Sequence, residues 1–140
     1  MKVLLDTCVI MDFLQSREPF AQNAKKIMQA ATMELFAGFI TAKSATEIYY
    51  LTHRCTHSDK EARTKLSQLL SVVNMLDSMA SDVYDALPSE ISDFEDAVMS
   101  ATAHRCKMDC IVTRNTKDYS KSIVPVYTPD KFIEILERSE

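Results

Sequence analysis

The chain has 140 residues, of which 46% are hydrophobic and 26% charged, and its formal net charge is −4. That length fits one domain with a buried core, and one Gly with four Pro excludes collagen-like, linker-rich and turn-dense all-β chains. With 16 Lys and Arg against 20 Asp and Glu, bulk charge cannot hold a nucleic acid, so any such contact must be local.

Four cysteines (Cys8, Cys55, Cys106, Cys110) are too few for a disulfide scaffold at this length. The apolar start Val3-Leu4-Leu5 is cut short by Asp6 with no cleavage site after it, and no apolar run approaches the roughly 18 residues of a membrane span. A reduced, soluble, cytoplasmic protein without a membrane partner is the expectation.

In chain order, Lys2 to Leu5 reads as a buried strand with Asp6 at its carboxyl end. Thr7 is positioned to cap a short helix through Val9, Ile10, Phe13 and Leu14, and Pro19 precedes a second helix bearing Phe20, Ala24, Ile27, Met28 and Ala31. Leu35 to Ile40 is the next strand and holds the only glycine, Gly38. Thr41 begins a helix with Ala45, Ile48, Leu51 and Thr52 on one face and Glu47 near its middle. Ser58 to Glu61 has the pattern of a capping box before Ala62, Leu66, Leu69 and Leu70. Val72 to Leu76 is a short strand, and a second capping box, Ser92 to Glu95, opens a helix through Ala97, Val98, Ala101 and Ala103. Cys110 to Thr113 and Val124 to Tyr127 are strands, and Thr128-Pro129 starts a closing helix with Phe132, Ile133 and Leu136. Alternating strands and helices predict a single α/β domain over 1–140, a mostly parallel sheet flanked by helices.

Charge is unevenly placed. From Leu66 to His104 there is no Lys or Arg, while Asp77, Asp82, Asp85, Glu90, Asp93, Glu95 and Asp96 fall there; solvated helix faces explain most such runs. In open α/β sheets ligands bind beyond the carboxyl ends of the strands, where Asp6 is expected, with Arg114, Asn115 and Asp118 following the strand that ends at Thr113. Asp93 and Asp96 share the first turn of one helix, and Glu47 lies in a helix after a strand. Carboxylates brought together repel unless a cation is present. Mg²⁺ or Mn²⁺ would meet that need and support hydrolysis of a phosphodiester. The plainer alternative makes Asp6 and Asp96 helix caps and the rest surface charges.

The segments Leu4-Leu5-Asp6-Thr7-Cys8-Val9-Ile10-Met11-Asp12, Thr46-Glu47-Ile48, Ser92-Asp93-Phe94-Glu95-Asp96-Ala97 and Ile111 to Tyr119 together resemble the PIN-domain family over essentially the whole chain. The resemblance implies a three-layer PIN-like sandwich and a Mg²⁺- or Mn²⁺-dependent endoribonuclease, of the kind found as VapC-type toxins with an antitoxin protein as partner. Matched position by position, it implies that Asp6, Glu47 and Asp96 are catalytic metal ligands and that Asp118 is the fourth, with Asp93 coordinating directly or through water. Asn115 stands where many relatives have Asp and can supply a neutral oxygen; Thr7 and Thr113 orient carboxylates or the attacking water. Cys8 departs from the usual Asn or Ser. The alternative function is a non-catalytic PIN-like module that binds RNA or a protein.

Arg114 and Lys117, with Arg105 and Lys121 nearby, are candidate contacts to RNA phosphates. A homodimer is expected, with helical surfaces around Ile27–Met28 and Tyr49–Leu51 as candidates. His53, Cys55 and His57 read as an exposed helix end rather than a zinc site, since no second ligand pair sits at finger spacing. Cys106 and Cys110 read as structural thiols, and Asp12 as structural.

Overall fold

A computed structural model describes residues 1–139. Five strands, β1 (Lys2–Leu5), β2 (Ala37–Thr41), β3 (Asn74–Leu76), β4 (Cys110–Val112) and β5 (Val126–Tyr127), form one sheet in the order β3-β2-β1-β4-β5. All four pairings are parallel. Seven helices connect and cover them: α1 (Thr7–Leu14), α2 (Ala21–Thr32), α3 (Ala42–Thr56), α4 (Asp59–Leu69), α5 (Ala80–Ala86), α6 (Phe94–Arg105) and α7 (Pro129–Arg138), with a 3-10 turn at Thr116–Tyr119.

The central strand shows why the sheet is buried on both sides. Side chains alternate along a strand, so Val3 and Leu5 join one core with Val9, Ile10, Ile27, Ile40, Ile48 and Phe132. Leu4 points the other way, into a second core with Met99, Ala103, Met108, Ile111, Tyr119 and Val124. A parallel sheet with both faces covered needs such continuous apolar strands. Gly38 allows a close approach in β2, where a Cβ would lie 3.2 Å from Val73 Cγ1 and 3.3 Å from Phe36 Cε2.

The strand order also fixes where a site can form. From β1 the chain steps outward through β2 and β3, then returns to lay β4 on the opposite side of β1 and adds β5 beyond it. The order therefore reverses between β1 and β4, and a crevice opens beyond the carboxyl ends of strands at such a switch point.

Several local expectations need correction. Asp6 rather than Thr7 caps α1, its side chain accepting from the Thr7 N–H. Asp93 rather than Ser92 or Asp96 caps α6, accepting from the Asp96 N–H at 3.1 Å. At Ser58 the cap is one-sided, with the hydroxyl accepting from the Glu61 N–H. Helix α5 and the 3-10 turn were not expected from the sequence. Ile27 and Met28 are 0% and 4% exposed, spent in the core and unavailable to a second copy, whereas Tyr50 remains exposed. His57 ends α3 as a left-handed cap at φ 55°, and Cys110 is a buried thiol pushed by burial up to about 12. No helix among the described residues is long and apolar enough to cross a membrane.

Candidate active site

Asp6 stands at the switch point. Its backbone N–H donates to the Val112 carbonyl across the β1–β4 seam. Its carboxylate accepts from the Thr7 N–H at 2.8 Å and from Thr113 Oγ1 at 2.7 Å. The fully buried Thr113 hydroxyl in turn accepts from the Asn115 N–H at 3.1 Å. Thr113 thus orients a carboxylate, and Asn115 contributes to this chain through its backbone. Cys8 Sγ lies 3.8 Å from Asp6 Oδ2 and 3.7 Å from Thr113 Oγ1, a weak contact from a thiol whose pKa is raised by burial and then by the Asp6 charge.

Glu47 reaches the same edge from α3. Its Oε2 accepts from Thr7 Oγ1 at 3.4 Å, so Thr7 links it to the Asp6 turn. Its Oε1 accepts from Lys43 Nζ at 2.8 Å, and Lys43 also lies 3.7 Å from Glu95 Oε2 on α6. Lys43 was not among the sequence candidates, although its i, i+4 spacing to Glu47 was a readable signal.

Asp96 comes from the first turn of α6 and is half-buried. Its pKa is pushed up to about 7, chiefly by burial and further by the charges of Asp6, Asp93 and Asp118, against the opposing influence of Tyr119. Asp6 is raised as well; burial and the Glu47 charge outweigh the hydrogen bonds from Thr113 and Thr7. Asp118 comes from the 3-10 turn, its N–H donating to the Asn115 carbonyl. The charges of Asp6 and Asp118 thus act on Asp96 and that of Glu47 acts on Asp6, which brings the four carboxylates near one another, while Asp93, exposed, is engaged as the α6 cap and also acts on Asp96.

The cations behave differently from one another. Arg114 donates to Asp12 from Nε at 2.7 Å and from Nη2 at 3.2 Å, and its guanidinium lies 3.9 Å above the Phe20 ring. Because Asp12 is 1% exposed, this is a structural clasp between α1 and the segment after β4 rather than a cation free to meet phosphate. Arg105 is clasped likewise by the buried Asp82, with Nε at 2.7 Å and Nη2 at 2.9 Å. Lys117 and Lys121 are exposed.

The donor set is all carboxylate oxygen, the kind that suits a hard divalent ion. Among the described residues, no three His, Cys, Asp or Glu side chains converge tightly enough to ligate one ion as they stand. Mg²⁺ does not require this, since it keeps several waters and is usually held by one or two carboxylates. Asp96 is pushed up chiefly by burial and further by its neighbours' charges, and a cation beside it would favour the ionised form. On these grounds the residues fit such an ion.

A family model described as PIN domain matches residues 2–117. The chain belongs to the PIN domain family. Solved structures share the PIN fold seen here: a toxin–antitoxin complex from Klebsiella pneumoniae is 24% identical over 91% of this chain and 97% of its own, with TM-score 0.67. FitAcB from Neisseria gonorrhoeae is 20% identical over 91% and 97%, with TM-score 0.66. The sarcin-ricin-loop-cleaving toxin VapC20 from Mycobacterium tuberculosis is 14% identical over 78% and 86%, with TM-score 0.61. At these identities the likeness is one of PIN fold. No curated protein matches the chain.

Proposed function

We propose that this PIN domain is a metal-dependent endoribonuclease and the toxin half of a toxin–antitoxin pair. The observation that supports the reading is the nearness of Asp6, Glu47, Asp96 and Asp118 beside the β1–β4 switch point, with Asp96 raised to about 7 by burial and then by the charges of Asp6, Asp93 and Asp118. A purely structural set of surface carboxylates would avoid that cost by standing apart.

Asp6 and Asp96 would hold Mg²⁺ or Mn²⁺, with Asp118 and Glu47 completing the set directly or through water. The ion would lower the pKa of a bound water and polarise the scissile phosphodiester. The protein's own part is positional. Thr113 and the Thr7 N–H fix the Asp6 carboxylate. Lys43 holds Glu47 along α3 and balances one carboxylate charge. Lys117 and Lys121, both exposed, would meet the flanking phosphates of an RNA strand. The toxin role draws on the printed descriptions of the PIN-fold neighbours from Klebsiella pneumoniae and Mycobacterium tuberculosis, one a toxin–antitoxin complex and the other an RNA-cleaving toxin.

The test pairs thermal melts with cleavage of a mixed RNA substrate, with and without Mn²⁺. Mn²⁺ at about 100 times its Kd should stabilise the wild type by roughly 2.7 kcal/mol, or about 5–10 °C in Tm, and support cleavage. Asp6→Asn should remain folded, lose cleavage and respond little to Mn²⁺. A wild type that neither responds to Mn²⁺ nor cuts RNA would favour the non-catalytic binding module. Co-purification with the product of an adjacent short reading frame checks the antitoxin half.

A further inference from the structure

Just beyond Glu47, α3 carries two adjacent tyrosines whose rings the core does not take up. Tyr50 is 66% exposed, Tyr49 is half-buried, and neither belongs to a core cluster. Their rings meet edge to face, with centroids 5.2 Å apart and planes at 79°. Tyr49 also stacks on His53 at 5.9 Å, and its hydroxyl donates to Asp59 Oδ1 on α4. Arg63 holds both oxygens of that same carboxylate through Nε, at 3.0 Å each. A side chain tied at its ring and at its hydroxyl keeps one orientation, so its rotamer freedom is already lost before a ligand arrives.

Ala45, Thr46, Tyr49, Tyr50, Arg63 and Leu66 line a cleft of about 280 Å³ between α3 and α4. Pockets that enclose a drug-sized ligand run to roughly 300–1,000 Å³, so this one suits a single flat ring system. Two phenol rings nearly at right angles offer such a ring one face to stack on and a second ring for its edge. Arg63 adds a guanidinium, which stacks on aromatic faces. Its charge is offset by Asp59 at i−4, so the cleft has little hold on a phosphate. Single surface aromatics are ordinary; two aromatics and an arginine around one cleft are the means by which proteins stack the bases of a single strand. Tyr50 follows Glu47 by three residues and Thr46 by four, the spacings that make neighbours on a helix. The cleft therefore opens within about 5 Å along α3 of a carboxylate of the site.

We infer that the α3–α4 cleft takes one unpaired nucleobase of an RNA strand, stacked on Tyr50 and bounded by Tyr49 and Arg63. Its place beside a cleaved bond rests on the nuclease reading; the stacking itself does not. Every base has a π-face, so the cleft holds the strand in position next to Glu47 without choosing its sequence.

The chain has five Tyr and no Trp, so its intrinsic fluorescence reports on tyrosine. Metal-free wild type is titrated with a short mixed-sequence single-stranded RNA, and stacking should quench that fluorescence. Tyr50→Ala and Tyr50→Leu should each weaken binding about 5- to 150-fold, with an unchanged salt slope. Tyr50→Phe keeps the π-face and should bind within about 2-fold of wild type. All three variants should melt within about 2 °C of wild type, because the position is exposed. The Leu variant separates stacking from plain apolar contact: if it binds RNA like wild type, the stacking is overturned. A wild type that binds no RNA overturns the cleft, as does unchanged binding by Tyr50→Ala. If light scattering shows a dimer that Tyr50→Ala dissociates while RNA affinity is unchanged, the face is a contact between copies and the inference fails. Cleavage is read separately with Mn²⁺. Cleavage with Tyr50-independent binding leaves the nuclease reading standing and removes the cleft, whereas Tyr50-dependent binding without cleavage keeps the cleft and removes the nuclease reading.

Discussion

Asp96 is the carboxyl at which the site's electrostatics are easiest to measure. Burial first, then the charges of Asp6, Asp93 and Asp118, raise it to about 7. A carboxyl raised on folding binds more protons in the folded than in the unfolded state between its ordinary range and that value. In metal-free protein its contribution is therefore most favourable near pH 4, declines as pH rises to about 7, and is flat above. Asp96→Asn should accordingly melt higher than wild type at pH 8, with the advantage vanishing near pH 4. Melts of both proteins from pH 4 to 8 without divalent ions check this, and a pH-independent difference would contradict it. Asp82 has the opposite sign: burial raises it, but the bonds from Arg105, the Met79 N–H and Thr102 hold it below its usual range. Its contribution is lost only as pH falls through that depressed value, and comparison of wild type with Asp96→Asn cancels it.

At the scale of elements, two arginine clasps hold the walls of the crevice. Arg105 on α6 ties the Asp82 carboxylate and the Asp77 carbonyl, joining α5 and its entry to the helix that carries Asp96. Removing one partner of a buried pair leaves an uncompensated charge and costs about 3–5 kcal/mol. Arg105→Ala should therefore lower Tm by roughly 10 °C, and Arg105→Lys should restore little of it because a single ammonium does not reproduce the fork. The Arg114–Asp12 clasp makes a parallel distinction among the cations. Arg114→Ala should destabilise the fold, whereas Lys117→Ala should leave Tm nearly unchanged and reduce the salt slope of RNA binding by about 1. Titrating labelled RNA onto the Asp6→Asn background, expected not to cleave on the proposed reading, at several salt concentrations separates the two. Asp93 is tested through its cap: Asp93→Ala should cost about 1 kcal/mol, and Asp93→Ser, also a capping residue, should recover it with an unchanged Mn²⁺ response. A lost response in the Ser variant would make Asp93 a ligand.

For the molecule as a whole, what the sequence disclosed depended on whether the deciding interaction was local. Lys2–Leu5 and the Thr128-Pro129 start of α7 were legible because an apolar run ending in a carboxylate, and a cap followed by proline, carry their own instructions. The caps of α1 and α6 were displaced by a residue because Asp6-Thr7 and Ser92-Asp93 each offer two capping side chains in succession. Helix α5 gave no periodic signal: Val83 and Tyr84 are 44% and 72% exposed, and its anchor is the buried Asp82. The crevice was legible from Asp6 at a strand end. The roles of Arg114 and Arg105 were not, since their partners lie 102 and 23 residues away.

The pairing of β1 with β4 also has a consequence for biosynthesis. Asp6 and Thr113 meet across 107 residues, so the first strand made must wait for nearly the last before the crevice exists. Such long-range closure is slow and late compared with local helix formation. A ribosome making this protein would therefore carry an incomplete and inert product until β4 has emerged. Nascent chains stalled at increasing lengths should remain protease-sensitive through the exit of β3 and become resistant in one step once Cys110–Val112 is free. On the nuclease reading proposed above, that order would keep the chain from acting on the RNA that encodes it until β4 has emerged.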